Sequence, residues 1–173
     1  MDPAPRHHLL LLDDDAAALE AAKAALAPRF EVEATRSPTQ ALQRLREVDF
    51  WVVCSAQRLV GLTGLELYER VRAGARPAAF VLFTAPGESA PEEFAGAELA
   101  SILEKPVDSA RLVRLVEQLD RLVQMRRNLA AVARPGSRAN PQLTPPSGIR
   151  PPTREVGSLP AARPPGKTDP SKG

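Results

Sequence analysis

Residues 9–15 read Leu9-Leu10-Leu11-Leu12-Asp13-Asp14-Asp15, four leucines closed by three aspartates. An unbroken apolar run of this length, ended by charge, fits a strand buried on both faces, as strands of parallel sheets are. Phe50-Trp51-Val52-Val53-Cys54 and Ala79-Phe80-Val81-Leu82-Phe83 repeat the form, and a shorter Ser101-Ile102-Leu103 ends at Glu104-Lys105-Pro106. Phe30 to Thr35 alternates apolar and polar side chains, the pattern of a half-buried or edge strand.

Helical segments separate these runs. Asp15 is placed to cap a helix through Ala16 to Lys23, which Pro28 stops, and Ser37-Pro38 offers an N-cap with proline at the first helical position for a helix to about Glu47. Thr63 opens a third helix to about Ala73, and a last one starts near Asp108 or Ser109. Parallel strands need crossover connections, almost always right-handed. The expected fold class is therefore α/β: a flavodoxin-like five-stranded parallel sheet in the order 2-1-3-4-5. That order brings Asp13, Asp14 and the Ala56 loop to one crevice at the strand carboxyl ends, with Thr84 and Lys105 flanking it.

Composition divides the chain. Of 173 residues 18 are proline, and ten of the prolines follow Arg134, so one domain plus an appendage is expected. From Arg134 onward seven basic residues meet two acidic ones, while the rest carries 16 basic against 19 acidic residues. The net charge of +2 thus describes neither part and gives no ground for a nucleic-acid-binding domain. The expected organisation is a folded domain over 8–120, a helical extension over 121–133 and a disordered, proline-rich basic tail over 134–173. The tail lacks aromatic residues on which bases could stack, and no DNA-binding domain is expected. One cysteine, Cys54, excludes an intrachain disulfide. The absence of a signal-like or membrane-spanning stretch leads to the expectation of a cytoplasmic protein.

The distributed residues Asp13-Asp14, Thr84-Ala85 and Lys105-Pro106 make the chain resemble the receiver domain of bacterial two-component response regulators, over about 8 to 120. The resemblance implies an acidic pair that holds magnesium, an aspartate after the third strand that accepts phosphate, and a hydroxyl and a lysine ending the fourth and fifth strands. Residues 52–67 follow the family's strand, acceptor, loop and helix start without a gap, yet Ala56 stands at the acceptor and Val60 where proline is usual. An alanine methyl has no lone pair with which to attack phosphorus. Pro86, Gly87, Pro91 and Gly96 occupy the stretch where receivers carry their fourth helix, leaving at most a turn over Ala90 to Phe94, and Ile102 replaces the family's switch aromatic.

The functional expectation is a degenerate pseudo-receiver: a stand-alone binding module, not an enzyme, acting in two-component phosphorelay signalling through contacts with a histidine kinase or effector. Asp13, Asp14, Thr84 and Lys105 form its inherited pocket, with Lys105 free to pair with Asp13 or Asp14. No cofactor is expected beyond magnesium held weakly or vestigially by Asp13 and Asp14. The alternatives are a receiver phosphorylated at an unconventional residue and a scaffold acting through its basic tail. Ser55 and Cys54 read as structural, His7 and His8 as solvated strand-end residues, and Trp51 as core. The last helix has Leu112, Leu115, Leu119, Leu122 and Leu129 at coiled-coil spacing, interrupted by Arg126. Beyond Asp120 no sheet is expected beneath it, and a homodimer contact is one outcome.

Overall fold

The computed structural model describes residues 5–133. Its strands are β1 (His8–Leu12), β2 (Glu31–Thr35), β3 (Val52–Ala56), a small hairpin of β4 (Arg58–Leu59) and β5 (Leu62–Thr63), β6 (Ala79–Thr84) and β7 (Ala100–Glu104). The helices are α1 (Ala16–Leu26), α2 (Pro38–Glu47), α3 (Gly64–Arg72) and α4 (Ser109–Val132). The main sheet is parallel throughout, ordered β2-β1-β3-β6-β7. With the hairpin set aside, this is the expected 2-1-3-4-5 arrangement.

Strand alternation explains how the four leucines serve two cores. Leu9 and Leu11 pack with Cys54, Val81 and Phe83 beneath α1 and α4; Leu10 and Leu12 pack with Val53, Phe80 and Leu82 beneath α2 and α3. Three helix starts follow the capping chemistry of the sequence. Asp15 accepts from the Ala17 and Ala18 amides, Ser37 accepts from Gln40, and Thr63 and Glu66 close a reciprocal capping box. Gly64 sits where a Cβ would lie 2.7 Å from the Ala56 carbonyl, so only glycine lets α3 start so close to the end of β3.

No α-helix joins β6 to β7. One 3-10 turn, Glu92–Phe94, begins after Pro91. Its Phe94 is buried, with its ring 4.5 Å from that of Tyr68 and 5.8 Å from that of Phe80. A single aromatic anchor thus closes the second core here.

Three expectations need correction. The sheet does not end beneath Asp120: α4 buries Leu112, Val116, Leu119 and Val123, and Arg127 further on still bonds to the Phe50 and Pro77 carbonyls. The five leucines read as one stripe belong to two adjoining faces, because the core row takes two valines while Leu129 stays exposed. His7 is not a solvated strand end, since it stacks on Trp51 at 3.5 Å and places Nδ1 2.7 Å from Asp120. Trp51 is half-buried at the amino rim, just before β3, with the Arg127 guanidinium 4.2 Å from its ring. The expected tail, 134–173, lies outside the described residues. Among these, no helix is long and apolar enough to cross a membrane.

Candidate functional site

The crevice residues stand on strand ends, as the topology requires. Asp13 follows β1 and is 2% exposed. Its two carboxylate oxygens lie 2.7 and 3.0 Å from Lys105 Nζ, and Oδ1 also accepts the Asp15 N–H at 3.0 Å. Asp14, one residue on, is exposed, and its carbonyl accepts from Arg36 Nε at 3.1 Å. The acidic pair is therefore divided, one carboxylate turned into the fold and the other left in solvent.

Lys105 follows β7, and its amide donates to the Thr84 carbonyl at 2.8 Å. Thr84, the last residue of β6, is 3% exposed. Ala56, the last residue of β3, is equally buried and pairs with Phe83. Strands β1 and β7 are not neighbours; β3 and β6 lie between them. The Lys105 side chain thus ties Asp13 across the strand ends that carry Ala56 and Thr84.

Residues that the sequence reading missed tie the loop after β3 to the loop after β6. The Gln57 side-chain amide donates to the Ser89 carbonyl at 3.1 Å, while its Oε1 is buried without a partner. Arg58 pairs with Glu88, whose other carboxylate oxygen accepts the Ala85 N–H at 3.0 Å. The Ala85 amide and then Arg58 hold the Glu88 carboxyl below its ordinary range. An arginine and a glutamate 30 residues apart carry no local signal of pairing. Beside the Asp13–Lys105 pair a cavity of about 390 Å³ opens between α1 and α4, walled by Leu11, Ala18, Ala22, Phe83 and Leu112.

Several chemistries fail on this geometry. Ala56 has no nucleophilic atom in its side chain. Ser55 is fully buried and donates its hydroxyl to the Ala56 carbonyl at 3.0 Å. Cys54 is fully buried, and burial pushes its thiol far up from the ordinary value, which leaves it a core side chain rather than a thiolate. Magnesium fits poorly, because it seeks octahedral oxygen coordination. Lys105 engages both Asp13 oxygens, Asp14 is exposed, and among the described residues no group of three His, Cys, Asp or Glu is placed to hold a metal.

A five-stranded parallel sheet in this order, with an acidic residue, a threonine and a lysine converging on one crevice, defines a receiver-type α/β protein. The family model for the response regulator receiver domain matches residues 9–117. The chain belongs to that family, whose members interact with kinases or effectors. Among solved structures it is similar to the receiver domain of an HD domain-containing protein from Pseudomonas fluorescens, with 24% identity, 74% of this chain and 98% of that chain covered, and a TM-score of 0.63. It is also similar to a response regulator receiver protein from Sinorhizobium medicae, at 26% identity, 70% and 99% coverage and a TM-score of 0.61. Full-length FixJ from B. japonicum matches at 28% identity, over 73% of this chain and 63% of that one, with a TM-score of 0.60. A comparison with curated protein sequences finds no match.

Proposed function

We propose that this receiver domain is a pseudo-receiver: a non-enzymatic module that works in two-component signalling through protein contacts, without phosphorylation at the position the family uses. The observation that carries this reading is the end of β3. Ala56 stands there, buried, while Lys105 is committed to Asp13 through both carboxylate oxygens. Phosphoryl transfer needs a nucleophile and an unengaged cation to meet developing charge; the end of β3 carries no nucleophilic side chain, and Lys105 is engaged. The helix-poor connection from β6 to β7 supports the same reading, because Ile102 and the single turn at Glu92–Phe94 leave no aromatic switch on β7.

The test is incubation of the protein with acetyl phosphate and magnesium, followed by intact-mass measurement. We predict no adduct. A stoichiometric gain of one phosphoryl group would overturn the proposal and favour an unconventional acceptor, which peptide mapping would locate.

A further inference from the structure

Helix α4 carries two apolar rows. One, from Leu112 to Val123, is buried on the sheet. The other runs beside it, with Leu115, Leu122 and Leu129 at seven-residue spacing and Met125 and Val132 three residues after the last two. Leu122 is half-buried, whereas Met125, Leu129 and Val132 are 60%, 61% and 85% exposed. From Leu122 to Val132 the steps of three, four and three residues are those of a coiled-coil seam. Upstream, Arg111 and Gln118 hold the positions equivalent to Met125, so the apolar part of the row begins at Leu122.

The borders of the row decide what fits it. Arg114, Arg121 and Asn128 precede its leucines on one side, and Arg126 stands on the other. Arg126 pairs with Glu98; Arg114 and Arg121 are exposed and make no ion pair among the described residues. The nearby carboxylates are committed elsewhere, Glu117 to Arg29 and Asp120 to His7. In a parallel pair with a second copy, Arg121 would face the other copy's Arg126, and in an antiparallel pair arginines again face arginines. Like charges across a seam oppose association. Residues 134–173, with seven basic and two acidic side chains, are an equally poor match. An interfacial membrane helix sinks a broad apolar face into the lipid, whereas the adjoining apolar row of α4 is already buried on the sheet and only Met125, Leu129 and Val132 of this one are exposed.

We propose that this row is a docking surface for an acidic amphipathic helix of another protein, with apolar residues at heptad spacing and glutamate or aspartate along its borders. The inference goes beyond the pseudo-receiver reading and is independent of it, since it rests on α4 alone. The short apolar stretch suits a transient contact.

Fluorescence anisotropy with the full-length protein tests this, using two synthetic helical peptides with the same leucine heptads, one bordered by glutamate and the other by lysine. The glutamate peptide should bind at least about tenfold more tightly, with an affinity that falls as salt rises. Leu129→Asp should abolish binding, and Arg121→Glu should weaken it about fivefold or more. Both sites are exposed, so melting temperatures measured in parallel should match the parent protein. Equal binding of the two peptides, or binding of neither, would overturn the proposal. So would a dimer of the protein alone that Leu129→Asp dissolves, which would assign the row to a second copy. Flotation with phosphatidylserine vesicles that Leu129→Asp abolishes would assign it to a membrane surface and equally overturn it.

Discussion

The two rims of the sheet are fastened in different ways. At the carboxyl rim the Lys105–Asp13 pair spans the ends of β3 and β6, and Arg58 with Glu88 ties the loops that follow those two strands. At the amino rim Asp49 receives Arg127 through both carboxylate oxygens and Arg76 through one, and Arg127 also bonds to the Phe50 and Pro77 carbonyls. Trp51 lies beside that arginine with His7 stacked on it, and His7 reaches Asp120 on α4. In open α/β sheets ligand chemistry belongs to the carboxyl rim. Here that rim is charge-compensated and holds strands together, while the denser network at the opposite rim holds the long helix in place.

The largest expected effect tests the amino rim. The Arg127 side chain is 12% exposed and satisfies two carbonyls and a carboxylate at once. We predict that Arg127→Ala lowers unfolding stability by about 3 kcal/mol in a urea titration. Arg127→Lys should recover less than half of this, because an ammonium cannot reproduce the guanidinium fork. Acid should reveal the same network. Burial acts to raise the Asp49 carboxyl, but the bonds from Arg127 and Arg76 outweigh it and hold the group below its ordinary range. A depressed carboxyl contributes stability above the unfolded-state value, and that contribution is lost as pH falls through the folded-state value. Loss should therefore set in below about pH 4 in the parent protein and be blunted in Arg127→Ala. A parent-like urea midpoint in the alanine variant would break the contrast between the rims.

A smaller loss is expected at the carboxyl rim. Lys105→Met leaves the 2% exposed Asp13 with only the Asp15 amide for company. We predict a cost of about 2 kcal/mol, largely recovered by adding Asp13→Asn, because an uncompensated buried charge costs more than a neutral pair. Additive losses in the double variant would show that the two side chains do not stabilise one another.

What the sequence reveals and what it hides follow the same division. The continuous apolar runs at 9–12, 50–54 and 79–83 expose β1, β3 and β6, because strands buried on both faces leave no other pattern. Asp15, Ser37 and Thr63 announce helix starts because capping is local. Pairing of Lys105 with an aspartate after β1 was legible from topology, but the choice of Asp13 over Asp14 depends on which side of the chain each faces. The amino-rim network was not legible at all. Arg127 and Asp49 are 78 residues apart, and their meeting depends on where α4 crosses the sheet. The helix itself misled for a related reason: leucine spacing alone merges two neighbouring faces, and the valines that settle the buried one look no different in the sequence.

The smallest expected effect bears most directly on the pocket. Ala56 is 3% exposed on the same strand-end rim as Asp13, so Ala56→Asp adds a second carboxylate to a crevice with one lysine. Lys105 cannot neutralise both, and like charges in a confined site raise the pKa of one of them. We predict a metal-free loss of about 1 kcal/mol at neutral pH, read as a lower melting temperature in EDTA. A carboxyl whose folded-state pKa is raised opposes folding above the unfolded-state value, so the deficit should shrink as pH falls through the raised value. Magnesium should restore the variant, since the added oxygens complete a donor set that Asp13 and Asp14 alone do not make, and should leave the parent protein unchanged. An unchanged or higher melting temperature in EDTA would mean that Lys105 is not saturated by Asp13. The carboxyl rim would then hold spare positive charge after all, and its contrast with the fastened amino rim would fail.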